Sequence, residues 1–313
     1  MDKIAEILET IFPGTLVATF LLNTGRVLKA IGLCKECLII LNNKALKKQR
    51  EIVTSAYTTI CFAMLRGYEL INDHRSGVEC YKKLLVFLRA FSEKAEQGEV
   101  TFYLAKFYHH QGKYTDAKEL LEKALSIMVE TGERQREATC YVGLGDVYHS
   151  VSKYKKAKEC QKKALAINKE IGDKEGEATC YGSLRTTFQS LGEYDKAQEY
   201  LKKAILIRKE IGDRKGEATS YANLGNVYQS LAEYDKAEEY QKKTLVIIKG
   251  IGDRKGEATC YLNLGVVFQS LGEYDKAEEY QMKALTCHCK RNWRQKRRSY
   301  MLWKPMKHVS VSW

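Results

Sequence analysis

Cysteine, histidine and the side-chain amides are the residues of this chain whose spacing could do chemistry. Cys34 and Cys37 form a CxxC pair, half of the spacing a tetrahedral zinc site uses, but no second pair stands near them. Cys287, His288 and Cys289 are metal-capable but too close together for such a site. Cys140, Cys180 and Cys260 recur at one register, with Ser220 filling the intervening place. A position that accepts Cys or Ser is small and packed, not half of an obligate bridge, so a reducing compartment is expected. None of the histidines (His74, His109, His110, His149, His288, His308) falls in an HExxH-like arrangement. His109 and His149 share one register with Gln189, Gln229 and Gln269, which reads as polar surface and not as a general base. The glycines are helix punctuation, and no phosphate-cradling loop is present. An enzyme, a metal and a cofactor are therefore not expected. What remains is a set of amides and hydroxyls that recur every forty residues.

That recurrence sets the elements that must position them. The stretch 251–285 repeats 211–245 at 28 of 35 positions. Leu144, Leu184, Leu224 and Leu264 align at this period, as do Tyr154, Tyr194, Tyr234 and Tyr274, and then Ala157, Ala197, Ala237 and Ala277. Leu104, Tyr108, Tyr114 and Ala117 keep the register, and Met64, Tyr68, His74 and Gly77 carry it further back in blurred form. Residues 15–50 read as one more degenerate copy, with Ile31 and Gly32 standing where Leu191 and Gly192 stand later.

Within a copy the apolar spacing is helical. Tyr221, Leu224, Tyr228 and Leu231 share one face, with Gly225 beside them; Ala237, Tyr240, Thr244, Leu245 and Ile248 form the face of a second helix. Gly252 is expected to end that helix in the left-handed conformation, and Asp253 to cap the next one. Gly192 and Gly272 suit the reversal between the two helices. Ala232 stands at that place in one copy, and that turn is expected to close without a left-handed residue. Small residues at Gly225 and Ala237 let the helices approach, and the aromatic rings are expected to fill the space between successive hairpins. One hairpin cannot bury both its faces, so hairpins must stack.

The order L-G-x-x-Y-x-x-L-G-x-Y-x-x-A followed by A-L, read from Leu264 through Ala277 to Ala284 and Leu285, resembles the tetratricopeptide repeat. That family's unit is about 34 residues, so each copy here has longer helices and links. The forty-residue form, with NLGN at 223–226 and IGDRKGEA at 251–258, resembles the repeats of Pins-type G-protein-signalling modulators and, more distantly, kinesin light chains and the repeat segments of large invertebrate signalling proteins. The likeness covers 98–285 and extends in weaker form over 51–91. It implies an all-α fold, an α-solenoid in which tetratricopeptide-type hairpins wind into a right-handed superhelix. Degenerate hairpins are expected over 1–95, five repeats over 96–286, and a tail over 287–313. The chain departs from the pattern at Arg185, which replaces the small glycine of Gly145, Gly225 and Gly265 and must turn outwards or loosen its hairpin. It departs again at Gln161, Gln241 and Gln281, where the family often has an aromatic or His. No Gα-binding motif of the Pins type follows the repeats.

In such a solenoid the first helix of each hairpin lines the inner wall. The exposed places between its packing residues are Thr219, Asn223, Asn226 and Gln229 in one copy, and Thr179, Ser183, Thr186 and Gln189 in the preceding copy. The following copy has Thr259, Asn263, Val266 and Gln269. The resemblance implies that the two Asn of NLGN contact peptide backbone, and an amide can both donate to a C=O and accept from an N–H. The candidate peptide-binding residues are thus Asn223, Asn226, Asn263, Gln229, Gln269, Gln189, Thr219 and Thr186. The same residue types also occur as ordinary solvated helix surface. The DKAEEYQKK runs of the second helices read as a solvated face with i,i+4 pairs.

The function that follows is a non-catalytic scaffold or adaptor, holding an extended or helical segment of a partner protein and taking part in signalling. Composition adds two points. The net charge is +13, yet eight Lys and Arg and no acid lie in 287–313, so the basic excess is mostly a tail property. KRNWRQKRR at 290–298, with Trp293, Trp303 and Trp313 in the same tail, suits nucleic acid, an anionic membrane surface or a localisation signal. It equally suits a capping helix through Trp293, Tyr300 and Met301, or an irregular chain end. Nucleic-acid association through this tail, or membership of a larger repeat-containing signalling protein, is the alternative to the adaptor reading. The run TLVATFLL is too short to span a bilayer and follows an acidic start, so a cytoplasmic protein is expected.

Overall fold

The computed structural model describes residues 2–41, 50–91 and 94–288. The tail features at 290–298 and around Trp293, Tyr300, Trp303 and Trp313 lie outside these residues. Fourteen helices are described, and no strand among them: α1 (Asp2–Asn23), α2 (Val27–Leu41), α3 (Arg50–Leu70), α4 (His74–Phe91), α5 (Lys94–His110), α6 (Tyr114–Thr131), α7 (Arg134–Ser150), α8 (Tyr154–Ile171), α9 (Lys174–Ser190), α10 (Tyr194–Glu210), α11 (Arg214–Ser230), α12 (Tyr234–Gly250), α13 (Arg254–Ser270) and α14 (Tyr274–His288). They form seven hairpins in two compact units, Met1–Ile171 and Gly172–Trp313. The architecture is all-α, an α-solenoid of stacked hairpins.

In the first unit the hairpins are α1–α2, α3–α4, α5–α6 and α7–α8, joined by packing of α2 on α3, α4 on α5 and α6 on α7. In the second they are α9–α10, α11–α12 and α13–α14, joined by α10 on α11 and α12 on α13. From α5 onward each helix begins twenty residues after the last, and from α5 to α13 the longer repeat is spent on helices of 17 or 18 residues with short links.

The punctuation follows local chemistry. Asp173, Asp213 and Asp253 accept from the backbone N–H of Gly176, Gly216 and Gly256 at 2.8, 2.8 and 3.0 Å, capping α9, α11 and α13. Gly252 takes φ 72°, and the reversal glycines Gly192 and Gly272 take 74° and 79°. Ala232 does not escape this geometry: its φ is 58°. The expectation of a turn without a left-handed residue fails because the neighbouring bonds hold the backbone. Glu233 N–H donates to Tyr228 O at 2.9 Å, just as Glu193 N–H donates to Phe188 O.

Two other expectations are corrected. The α1–α2 reversal uses Gly25, at φ 78°, while Ile31 and Gly32 lie inside α2. The buried stripe Ile31, Cys34, Cys37 and Leu41 runs on past that glycine, and it sets the helix. The second, that rings fill the space between hairpins, is corrected in part: three ring stacks of the second unit lie within hairpins. Phe188 on Tyr200, Tyr228 on Tyr240 and Phe268 on Tyr280 lie at 5.2–5.3 Å with planes within 10°. In the N-terminal hairpins rings also meet across neighbours, as Tyr81 on α4 meets Phe107 on α5. Between hairpins of the second unit the fill is mixed: Leu201 and Ile205 of α10 share one cluster with Leu224, Val227 and Tyr228 of α11.

Candidate functional site

The close approach inside α11–α12 decides what the candidate amides can do. A Cβ on Gly225 would stand 2.8 Å from the amide nitrogen of Gln241. The missing side chain leaves room for Gln241, which is fully buried although polar. A buried amide must satisfy its donors and acceptor. Gln241 Nε2 donates to Asn226 Oδ1 at 3.0 Å and to Ala222 O at 3.2 Å, and Gln241 Oε1 accepts from Asn263 Nδ2 at 3.4 Å. One side chain on α12 thereby ties an asparagine of its own hairpin to one of the next.

This bonding polarises the pair. Asn226 has its carbonyl oxygen engaged and keeps Nδ2 as a donor. Asn263 has its amide nitrogen engaged and keeps Oδ1 as an acceptor. Asn226 is exposed and Asn263 half-buried. A donor and an acceptor fixed side by side complement the C=O and N–H of an extended polypeptide.

The other predicted residues divide. Asn223 and Gln229 are half-buried on α11, and Gln269 is exposed on α13. The hydroxyls of Thr219 and Thr186 donate to Lys215 O and Gly182 O of their own helices, at 3.0 and 3.3 Å. Gln189 Oε1 accepts from Arg185 Nη1 at 2.9 Å. The structure thus brings Asn226 and Asn263 into one network and leaves Thr186, Thr219 and Gln189 bonded within their own helices.

Arg185 neither turns fully outwards nor finds an acid. It runs along α9 to Gln189, its Nε is buried with no hydrogen-bond partner, and burial lowers its pKa. Gln241 faces Gly225 and Gln281 faces Gly265, sixteen residues on in each case; at the same spacing from Arg185 the chain has Leu201. Glycine and glutamine occur together, and where the glycine is lost the glutamine is lost too. That coupling was the signal in the sequence for Gln241, which the reading of surface places passed over.

The remaining chemistry-bearing residues are structural. Cys140, Cys180 and Cys260 are buried free thiols, and Ser220 is buried at the same register. Burial pushes the Cys34 thiol up to about 12. His109 Nε2 lies 2.8 Å from Ser150 Oγ, and burial lowers its pKa. Among the described residues no group of three or more His, Cys, Asp or Glu could hold a metal ion, and no helix is long and apolar enough to cross a membrane.

Comparison with known proteins bears on the fold. The tetratricopeptide repeat pattern matches residues 98–170, 152–210, 186–249 and 216–290. No curated protein matches the sequence. Among solved structures, BtubC (BKLC) from P. vanneervenii is 23% identical with a TM-score of 0.59, over 78% of this chain and 95% of that one. The apo form of RapI is 15% identical with a TM-score of 0.63, over 89% and 97%. A Rap protein complexed with competence and sporulation factor is 15% identical with a TM-score of 0.59, over 90% and 98%. At these identities the likeness is one of fold alone. The repeat pattern runs through most of the chain from residue 98 to residue 290, and the chain belongs to the tetratricopeptide repeat family.

Proposed function

We propose that the first-helix face of the second unit, made by α9, α11 and α13, holds an extended segment of a partner protein, and that the chain works as a non-catalytic adaptor. The observation that carries this reading is the Gln241 network. It leaves one amide donor on Asn226 and one amide acceptor on Asn263, the complement of a peptide's main chain. Asn223, Gln229 and Gln269 extend the same polar face. Main-chain recognition of this kind fixes the direction of the bound segment and leaves side-chain preference to the residues around it. A structural neighbour solved with competence and sporulation factor is consistent with a binding role for the fold.

The test uses the full chain and a peptide selected on it from a displayed random library. Asn226→Ala and Asn263→Ala should each weaken binding by about fivefold or more, the worth of one hydrogen bond at about 1 kcal/mol. A double variant that binds the selected peptide as tightly as the unaltered chain, by titration calorimetry, refutes the site.

A further inference from the structure

The second helices α10, α12 and α14 share one charge pattern; α8 lacks it, and α6 lacks it in part, with Lys113 and Lys118 at the places of Lys153 and Lys158. After Glu193, Glu233 and Glu273, helices α10, α12 and α14 open with Asp195, Asp235 and Asp275 in the first turn. At the matching places α8 has Lys153 and Lys155, and Lys158 stands where α12 and α14 have Glu238 and Glu278. Over 153–171 there are seven lysines and two acids, Glu159 and Glu170, the second of them paired with Arg134. Cations in the first turn of a helix oppose its dipole, at about 0.3–1 kcal/mol each. The start of α8 therefore carries an electrostatic cost that Asp195, Asp235 and Asp275 offset in α10, α12 and α14.

Several lysines of the sister helices are neutralised in place. Lys203 pairs with Glu199, Lys243 with Glu239 and Lys283 with Glu279. On α8, Lys153, Lys155, Lys156, Lys162 and Lys163 are exposed, and none is ion-paired among the described residues. Lys156 and Lys163 lie over the rings of Tyr148 and Tyr141, at 5.8 and 5.5 Å, which keeps both along the helix. Lys155 and Lys162 sit two turns apart, about 10 Å along one stripe. The result is a positive strip from Lys153 to Lys163, about 15 Å along the helix, with Glu159 the one acid inside it.

We infer that this strip docks an acidic, Asp- or Glu-rich polypeptide segment of a partner. Its width decides the class. Cys160 of α8 packs against the cluster that holds Ala117 and Leu121 of α6. Over 113–123 that neighbour balances Lys113, Lys118 and Lys123 with Asp116, Glu119 and Glu122, and Glu122 pairs with Lys118 at 3.3 Å. The net positive surface is therefore one helix wide on that side, and beyond it lie acids as well as lysines. A bilayer or a nucleic-acid duplex would press onto those acids as well, and a single polypeptide need not. The strip offers no exposed aromatic ring for a base to stack on and no arginine fork for phosphate.

The test is the full chain against labelled poly-L-glutamate of about thirty residues by fluorescence anisotropy at about 0.1 M salt, where charges roughly 10 Å apart still interact. The variant Lys153→Glu, Lys155→Asp, Lys158→Glu writes the α12 pattern onto α8 and leaves the basic tail in place. Poly-glutamate binding should weaken about tenfold or more, while binding to duplex DNA and to phosphatidylserine vesicles changes less than about twofold. The same variant should melt no lower than the unaltered chain, because it restores acids to the first turn. Lys155→Gln with Lys162→Gln is a milder second variant that should weaken poly-glutamate binding in the same direction. Unchanged poly-glutamate binding in both variants overturns the proposal, as does an equal loss toward DNA or vesicles. Asn226→Ala should leave poly-glutamate binding intact, which separates this surface from the α9–α11–α13 face.

Discussion

Ala232 is held at φ 58° by the same turn bonds that glycines serve in the sister copies. A Cβ in the left-handed region costs roughly 1–2 kcal/mol, partly repaid by the smaller unfolded-state entropy of alanine. Ala232→Gly should therefore raise the unfolding free energy by about 1 kcal/mol or less, read by urea denaturation; a loss would mean that the turn is unstrained. Arg185 gives the second prediction at this scale. Its buried Nε has no partner, and such a donor costs about 1–3 kcal/mol. The pair Ala105 with Leu121 already packs at the corresponding register, both fully buried. Arg185→Ala should raise the melting temperature, and a fall would show that the arginine stem packs better than its head is penalised. Gln241→Leu should leave stability within about 1.5 kcal/mol while weakening the selected peptide severalfold, since Asn226 and Asn263 lose their common anchor. Equal affinity by calorimetry would place the network outside the binding face. The Asn positions were legible from the residues, because an amide between the packing places of a first helix is a local fact. Their polarity was not, because it depends on a side chain from another helix.

Helices α9, α11 and α13 begin at Asp173, Asp213 and Asp253, each accepting from a backbone N–H three residues on. Asp213→Ala should cost about 1 kcal/mol, seen as a lower denaturation midpoint, and no change would mean that water replaces the cap. These boundaries were readable in advance because a cap and a reversal glycine act within one turn of helix. The α1–α2 reversal was misplaced for the opposite reason. Gly32 had the right type and period, but the stripe Ile31, Cys34, Cys37 and Leu41 runs past it and is buried against the neighbouring helices. A glycine ends a helix only where the apolar stripe also ends. The stacks of Phe188, Tyr228 and Phe268 within their own hairpins were not legible, because spacing names the face of a helix, not the partner helix that face meets.

In the second unit, α11–α12 packs on both other hairpins, while α14 packs on α13. Stability in such stacks is a sum of units and nearest-neighbour interfaces. Gln241 is fully buried, and its counterpart Gln281 on α14 only partly so. Native-state hydrogen exchange should therefore find the amides of α12 better protected than those of α14. Equal protection would mean that the hairpins open as one block.

By itself the sequence determined the repeat length, the helical class, the caps, most of the turns and the places where amides reach the surface. Each of these rests on chemistry acting over a few residues or on simple recurrence. Only the tertiary structure decided which side chains meet. Gln241 reaches Asn226 across 15 residues and Asn263 across 22, and Arg185 is left without an acid. Contacts at those separations are closed by the packing of whole helices, and no rule local to the chain specifies them.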